Sequence, residues 1–174
     1  MTLRSNAIRF ILLVFLSGKS GAFDSSLNRQ LRDAAADGDS RSMTALLKQG
    51  ADPMAPEGGP EDPGETPLHL ACIGGNQLVV QTLLDAGADP NTRAVGPNSL
   101  RMTPLTWCAY GGHDLAVGAL LAGGADPNLI VDDERGAKLT ALDIALRVGD
   151  DLGGRKLTTR ALLEAKGGRY SADL

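Results

Sequence analysis

The apolar positions of this chain fall into short helical stripes punctuated by glycine. Leu68, Leu70 and Ala71 follow Thr66-Pro67 and stop at Gly74-Gly75, and Leu78, Val79, Thr82 and Leu83 follow and stop at Gly87. Steps of three and four predict two helices, each of roughly ten residues. Thr66 suits the N-cap, where its hydroxyl can accept a first-turn amide. Pro67 suits the first helical position, where its missing N–H costs nothing. Gly87 suits a left-handed cap after the second helix. Neither helix is long enough to be stable alone in water, so the pair must be held by other layers.

The same pattern returns at a fixed interval. Ala-Asp-Pro occurs at 51–53, 88–90 and 125–127, a spacing of 37 each time. Thr66-Pro67-Leu68 recurs as Thr103-Pro104-Leu105 and as Thr140-Ala141-Leu142, while Leu46-Leu47, Leu83-Leu84 and Leu120-Leu121 keep the register. Gly38, Gly75, Gly112 and Gly149 keep it too. One step back from Thr66, Arg29 to Gly38 fits the frame in a more polar form. The frame gives four units, about 27–63, 64–100, 101–137 and 138–169, of which the first and last are atypical. A stack of repeats needs such ends, because each terminal unit has one face against water. The expected fold is an all-α helical repeat solenoid. Between Ala-Asp-Pro and the next Thr, 12 residues intervene each time, at 54–65, 91–102 and 128–139. These form the expected hairpin fingers. In the last unit Leu162-Leu163 falls five residues late, which predicts an irregular bend from Asp150 to Lys156.

Gly64-x-Thr66-Pro67-Leu68-His69-Leu70-Ala71, followed by Gly87-Ala88-Asp89-Pro90-Asn91, resembles the ankyrin repeat; Arg101 to Asn128 is the next best match. The resemblance covers residues 27–169. It implies helix–turn–helix pairs with extended hairpin loops, and a non-catalytic scaffold that binds a protein through its concave face and fingers. It also implies that His69 bonds its own helix start and the next repeat. Three features depart from the family. The usual period is about 33, so the fingers here are longer. The last unit carries the further insertion. Thr106 and Asp143 replace the motif histidine in units three and four.

Composition sharpens this picture. Apolar residues make up 43% of the 174 and aromatics only 3%, so the core must rest on Leu, Ala, Val and Gly in thin layers. The first 22 residues contain Arg4, Arg9 and Lys19 with no acid, and Phe10 to Leu16 is an unbroken apolar run. A basic start, a short apolar centre and small residues at Ser20 and Ala22 are the pattern of a secretory signal peptide. The run is too short to span a bilayer. The expectation is export, periplasmic or secreted, with cleavage after Ala22; the alternatives are an uncleaved N-terminal anchor or a cytoplasmic protein. Removing this segment takes three positive charges and no negative ones, moving the formal charge from −4 to −7. Such a body is repelled by nucleic acid and by anionic lipid.

Candidate chemistry is sparse. His69, Cys72, Cys108 and His113 have metal-ligand side chains, but tetrahedral zinc needs four of them to converge. Cys108 aligns with Ala71 rather than with Cys72. Equivalent positions in successive helical layers lie about 10 Å apart, so the four are expected to spread along the stack and both cysteines to remain free thiols. Glu57, Glu61, Asp62 and Glu65, and then Asp132, Asp133 and Glu134, match no calcium loop and read as solvated charge. No phosphate loop, nucleophile–base order or paired-carboxylate site appears. The expectations are therefore no enzyme, no metal, no cofactor and no small-molecule substrate. The middle finger holds Arg93 and Arg101 and no acid, so the fingers alternate in charge in a way suited to orienting a partner. Ala36, Ile73, Tyr110 and Arg147 form a diagonal on the first helices, outside the expected stripe of Leu68, Leu70, Leu105 and Trp107. An exposed Ile beside an exposed Tyr marks an interaction patch. The expected partner-binding residues are thus Ile73, Tyr110, Arg147, Arg93 and Arg101, on a monomer that binds one protein partner. A stabilising or inhibitory accessory module for a neighbouring enzyme is the alternative reading.

Overall fold

The computed structural model describes residues 20–59, 62–94, 101–132, 136–147 and 155–174. Among the described residues, four helix pairs follow one another. They are α1 (Ser20–Asp37) with α2 (Ser40–Lys48), α3 (Pro67–Gly74) with α4 (Gln77–Asp85), α5 (Pro104–Gly111) with α6 (Asp114–Ala122), and α7 (Ala141–Arg147) with α8 (Arg155–Ala165). The first members pack side by side as an inner layer, α1 on α3, α3 on α5 and α5 on α7. The second members do the same as an outer layer, and each inner helix also packs on its own outer helix. The all-α repeat solenoid is therefore the observed fold.

Among the described residues, strands are confined to the fingers. In the first finger β1 (Gly58–Gly59) pairs antiparallel with β2 (Asp62–Pro63), and in the third β3 (Val131–Asp132) pairs with β4 (Lys138–Leu139). The Glu57 amide donates to the Glu65 carbonyl at 2.8 Å and closes the first finger's base. In the second, the Ala94 amide donates to the Met102 carbonyl at 3.1 Å.

The two middle inner helices start and stop as their sequences dictate. Thr66 and His69 form a reciprocal capping box at the start of α3. Gly75 ends that helix at φ 66°, a left-handed conformation that a side chain would oppose. Thr103 caps α5 through the Thr106 amide, and Gly112 ends it in the same way. The buried core is mainly Leu, Ala and Val, including Leu31, Leu68, Val79, Leu83, Leu105, Val117, Leu120, Leu142 and Leu163. A smaller cluster of Met102, Val131, Leu139 and Ile144 lies under the third finger, and Trp107 packs against both.

Several expectations need correction. The buried positions of α3 are Pro67, Leu68, His69, Ala71 and Cys72, while Leu70 is half-buried, as is Trp107 in α5. An inner helix is covered by its outer helix and by both neighbouring units, so its buried surface is wider than one stripe. On α4, Val79, Val80 and Leu83 are buried and Leu78 is exposed. Helix α8 begins at Arg155, so Arg155 and Lys156 of the expected bend are helical; the rest of the bend lies outside the described residues. Helix α1 begins ahead of residue 27 and includes residues 20–22 of the expected leader, whose apolar run lies outside the described residues.

Candidate functional site

The units are joined by side chains that bridge one repeat to the next. The Thr66 amide donates to His69 Nδ1 at 3.1 Å, which leaves Nε2–H to donate to the Met102 carbonyl at 3.1 Å. His69 thus ties its own helix start to the base of the next finger, as the family resemblance implies. Burial is the main cause that lowers its pKa, to about 4, against the opposing pull of the Met102 and Thr92 backbones. The ring is neutral at physiological pH.

Asn91 and Asn128 repeat a second bridge. Asn91 Nδ2 donates to the Gly124 carbonyl at 3.1 Å and its Oδ1 accepts the Asp126 amide at 2.8 Å. Asn128 does the same with Gly167 and Arg169. His113 supplies a third bridge. Its Nε2 lies 3.3 Å from the Ile73 carbonyl, and a Cβ at Gly75 or at Gly111 would run into its ring. Gly75, which ends α3, and Gly111, the last residue of α5, therefore leave room for the imidazole between them.

These bridges hold Ile73 and Tyr110 at one register position on adjacent inner helices. Ile73 is 52% exposed and Tyr110 51% exposed, as the spacing argument expects. Tyr110 is braced from behind by Trp107, three residues earlier on the same helix. The two ring centroids are 6.2 Å apart and the planes meet at 77°, the edge-to-face arrangement that aromatic pairs favour. Trp107 Nε1 is buried without a hydrogen-bond partner, so the indole is held by packing alone. Ala36 is exposed at the same register position in the first unit. Arg147 is the last residue of α7, and its side chain lies outside the described residues.

The finger arginines are not equivalent. Arg93 is half-buried, and its guanidinium donates to the Ile130 carbonyl of the next finger. Arg101 is exposed, at φ 53°, a left-handed conformation uncommon outside glycine. Asp132 is paired chiefly with Lys138, and the positive charges of Arg101 and Arg93 add to the depression of its pKa. The middle finger's basic charge is thus partly turned toward the acidic third finger. Arg101 is the more accessible of the two.

The cysteines need a smaller correction. Both are free and buried, as expected, but they stand on adjacent packed inner helices, and Cys108 lies near enough to Cys72 to help raise its pKa. Equivalent positions need not face each other, because units stacked head to tail join unlike surfaces. His69 is engaged with Thr66 and Met102, and His113 stands by Ile73, so these four side chains do not meet as one cluster. Among the described residues, no group of three or more His, Cys, Asp or Glu is placed to hold a metal ion.

The bridging roles of His113, Asn91 and Asn128 were not assigned from the sequence. The signal was present, since the asparagines recur 37 apart after Ala-Asp-Pro. The family model described as ankyrin repeats (3 copies) matches residues 31–130, more than half of the chain. The match ends in the third finger, and α7 with α8 continues the stack beyond it. None of the curated proteins compared with the chain matches it.

Proposed function

The chain belongs to the ankyrin-repeat family, and from that premise we propose that it is a non-catalytic scaffold binding one protein partner through the inner-helix face, with Tyr110 as the central anchor. Ankyrin repeats are generally protein–protein interaction modules. The observation that carries the reading to this face is the pair of half-exposed apolar side chains, Ile73 and Tyr110, at one register position on adjacent helices, with Tyr110 braced by Trp107. A braced aromatic loses little conformational freedom on binding, and Tyr is enriched among residues that dominate interface energy. Ile73 and Arg147 flank it, and Arg101 and Arg93 of the middle finger steer the approach.

The test compares two exposed apolar residues on different layers. Immobilised wild-type chain, Tyr110→Ala and Leu115→Ala are each used to recover proteins from the native extract. Leu115 lies on outer helix α6 and is even more exposed than Tyr110. A protein retained by wild type and Leu115→Ala but lost by Tyr110→Ala is the expected outcome. Equal loss from both variants would indicate nonspecific adhesion and defeat the proposal.

We also propose that residues 1–22 act as an export leader cut after Ala22. The support is the sequence pattern of basic start, apolar run and small-residue site. Intact mass of the native protein checks it: a soluble product that retains Met1 would contradict export by cleavage.

A further inference from the structure

Cys72 and Cys108 are the chain's two cysteines, and both lie in the main core cluster. They sit on α3 and α5, adjacent helices of the inner layer. Cys72 shares its register position with Ala35, Ala109 and Leu146. Ala35, Cys72 and Ala109 each have a unit stacked in front and are buried, whereas Leu146 on α7 is 54% exposed. This position therefore faces the following unit. Cys108 comes from that following unit, is fully buried on the inner helix packed against α3, and acts on the Cys72 thiol. At the flanking junctions the corresponding positions are Ala35 with Ala71, and Ala109 with Ala145. Sulfur thus faces sulfur only between the second and third units. Ala71 and Ala109, the chain neighbours of the two cysteines, are small and buried in the same core cluster.

We propose that Cys72 and Cys108 form a disulfide across this junction, with hydrogen peroxide as oxidant and a small dithiol as the reductant that reverses it. One thiolate attacks a peroxide oxygen, the O–O bond breaks, and hydroxide leaves as the sulfur becomes a sulfenic acid. The second thiolate attacks that sulfur, forms the S–S bond and expels hydroxide. The two thiol protons join the two hydroxides as two waters, and two electrons pass from the thiols to the peroxide. Burial, and then the neighbouring Cys108 thiol, raise the Cys72 pKa well above the ordinary thiol value. The Cys72 thiolate is scarce in the closed stack, so its oxidation is slow at neutral pH and faster as pH rises. The cross-link would pin α3 to α5 next to Ile73 and two residues before Tyr110. Its bearing on partner binding rests on the inner-helix reading above, but its formation does not.

The test uses the full chain in its native state. The protein is treated with hydrogen peroxide, quenched with catalase, denatured without reductant and alkylated, and the labels are counted by mass spectrometry. The expected result is a fall from two labels to none with the loss of two hydrogens, and a single Cys72–Cys108 peptide after digestion. The product should be monomeric on a non-reducing gel, and dithiothreitol should restore both labels. Cys72→Ala should give no intramolecular cross-link under the same treatment. Retention of both labels in wild type, oxygen addition to sulfur without cross-linking, or disulfides only between chains would each overturn the proposal.

Discussion

The junction between the second and third units and the forward face of the fourth use the same register positions for different ends. In the middle of the stack, His69 reaches across to the Met102 carbonyl, and Cys72 and Ala109 are sealed from water. In the fourth unit Asp143 stands at the histidine position. Its Oδ2 accepts the Thr140 amide at 2.8 Å, as His69 Nδ1 does for Thr66, but it also accepts the Ser171 amide at 2.8 Å. The chain after α8 therefore folds back onto α7 where a further unit's finger would sit. Leu146, at the Cys72 position, is left exposed. The period determines where a side chain sits, and the neighbouring unit determines whether it is buried. A neutral ring suits a closed junction, while a carboxylate suits an end that water still reaches.

Titration gives the largest predicted contrast. His69 has a folded pKa of about 4 against an ordinary value of 6.5. Between those values the unfolded chain binds the proton and the folded chain resists it, so stability falls as pH falls. The loss should be on the order of 3 kcal/mol across that window. Denaturant melts of wild type and His69→Gln at pH 7 and at pH 4.5 check this: the variant should show a much shallower decline. Asp143 behaves differently. Burial raises its pKa, but hydrogen bonds from Thr140 and Ser171 outweigh this and lower it below 3.8. Its contribution is intact above the ordinary carboxylate value and is lost only as pH falls through the depressed one. A parallel decline in both proteins between pH 7 and 4.5 would break the contrast.

Side-chain volume provides the next. Ala109→Leu places the fourth unit's residue into the sealed junction between the third and fourth units and should cost about 1–3 kcal/mol by overpacking. Leu146→Ala makes the reverse change at the open face and should alter stability by no more than about 0.5 kcal/mol. Equal effects would mean that the two faces do not differ as described. A smaller change is expected at the helix start: Thr103→Ala removes the cap that receives the Thr106 amide and should cost about 1 kcal/mol. An unchanged melting temperature would show that Thr103 does not hold the start of α5.

Most of the fold was legible because independent markers shared one period. Thr-Pro-Leu marked the helix starts, Gly the helix ends, and Ala-Asp-Pro the turns into the fingers, and each kept its place. The exposure of Ile73 and Tyr110 was also legible, since both fall outside the apolar spacing of their helices. Facing partners were not legible. Aligning Cys108 with Ala71 correctly identifies equivalent positions, but contacts across a head-to-tail junction join unlike positions, so the alignment missed that Cys108 acts on the Cys72 thiol. His113 was hidden for a similar reason, because its partners Gly75, Gly111 and Ile73 belong to two units. Leu78 looked buried because it keeps helical spacing, yet Val80 takes the covered position instead.

Tyr110 is the point at which register, bracing and exposure coincide, and a calorimetric titration of its variant tests the account most directly. With the recovered partner, Tyr110→Ala should bind about 2 kcal/mol more weakly than wild type, roughly a 30-fold rise in Kd, at a nearly unchanged melting temperature. Intact affinity with a lowered melting temperature would contradict the account, making Tyr110 a core residue and moving the binding site to the fingers.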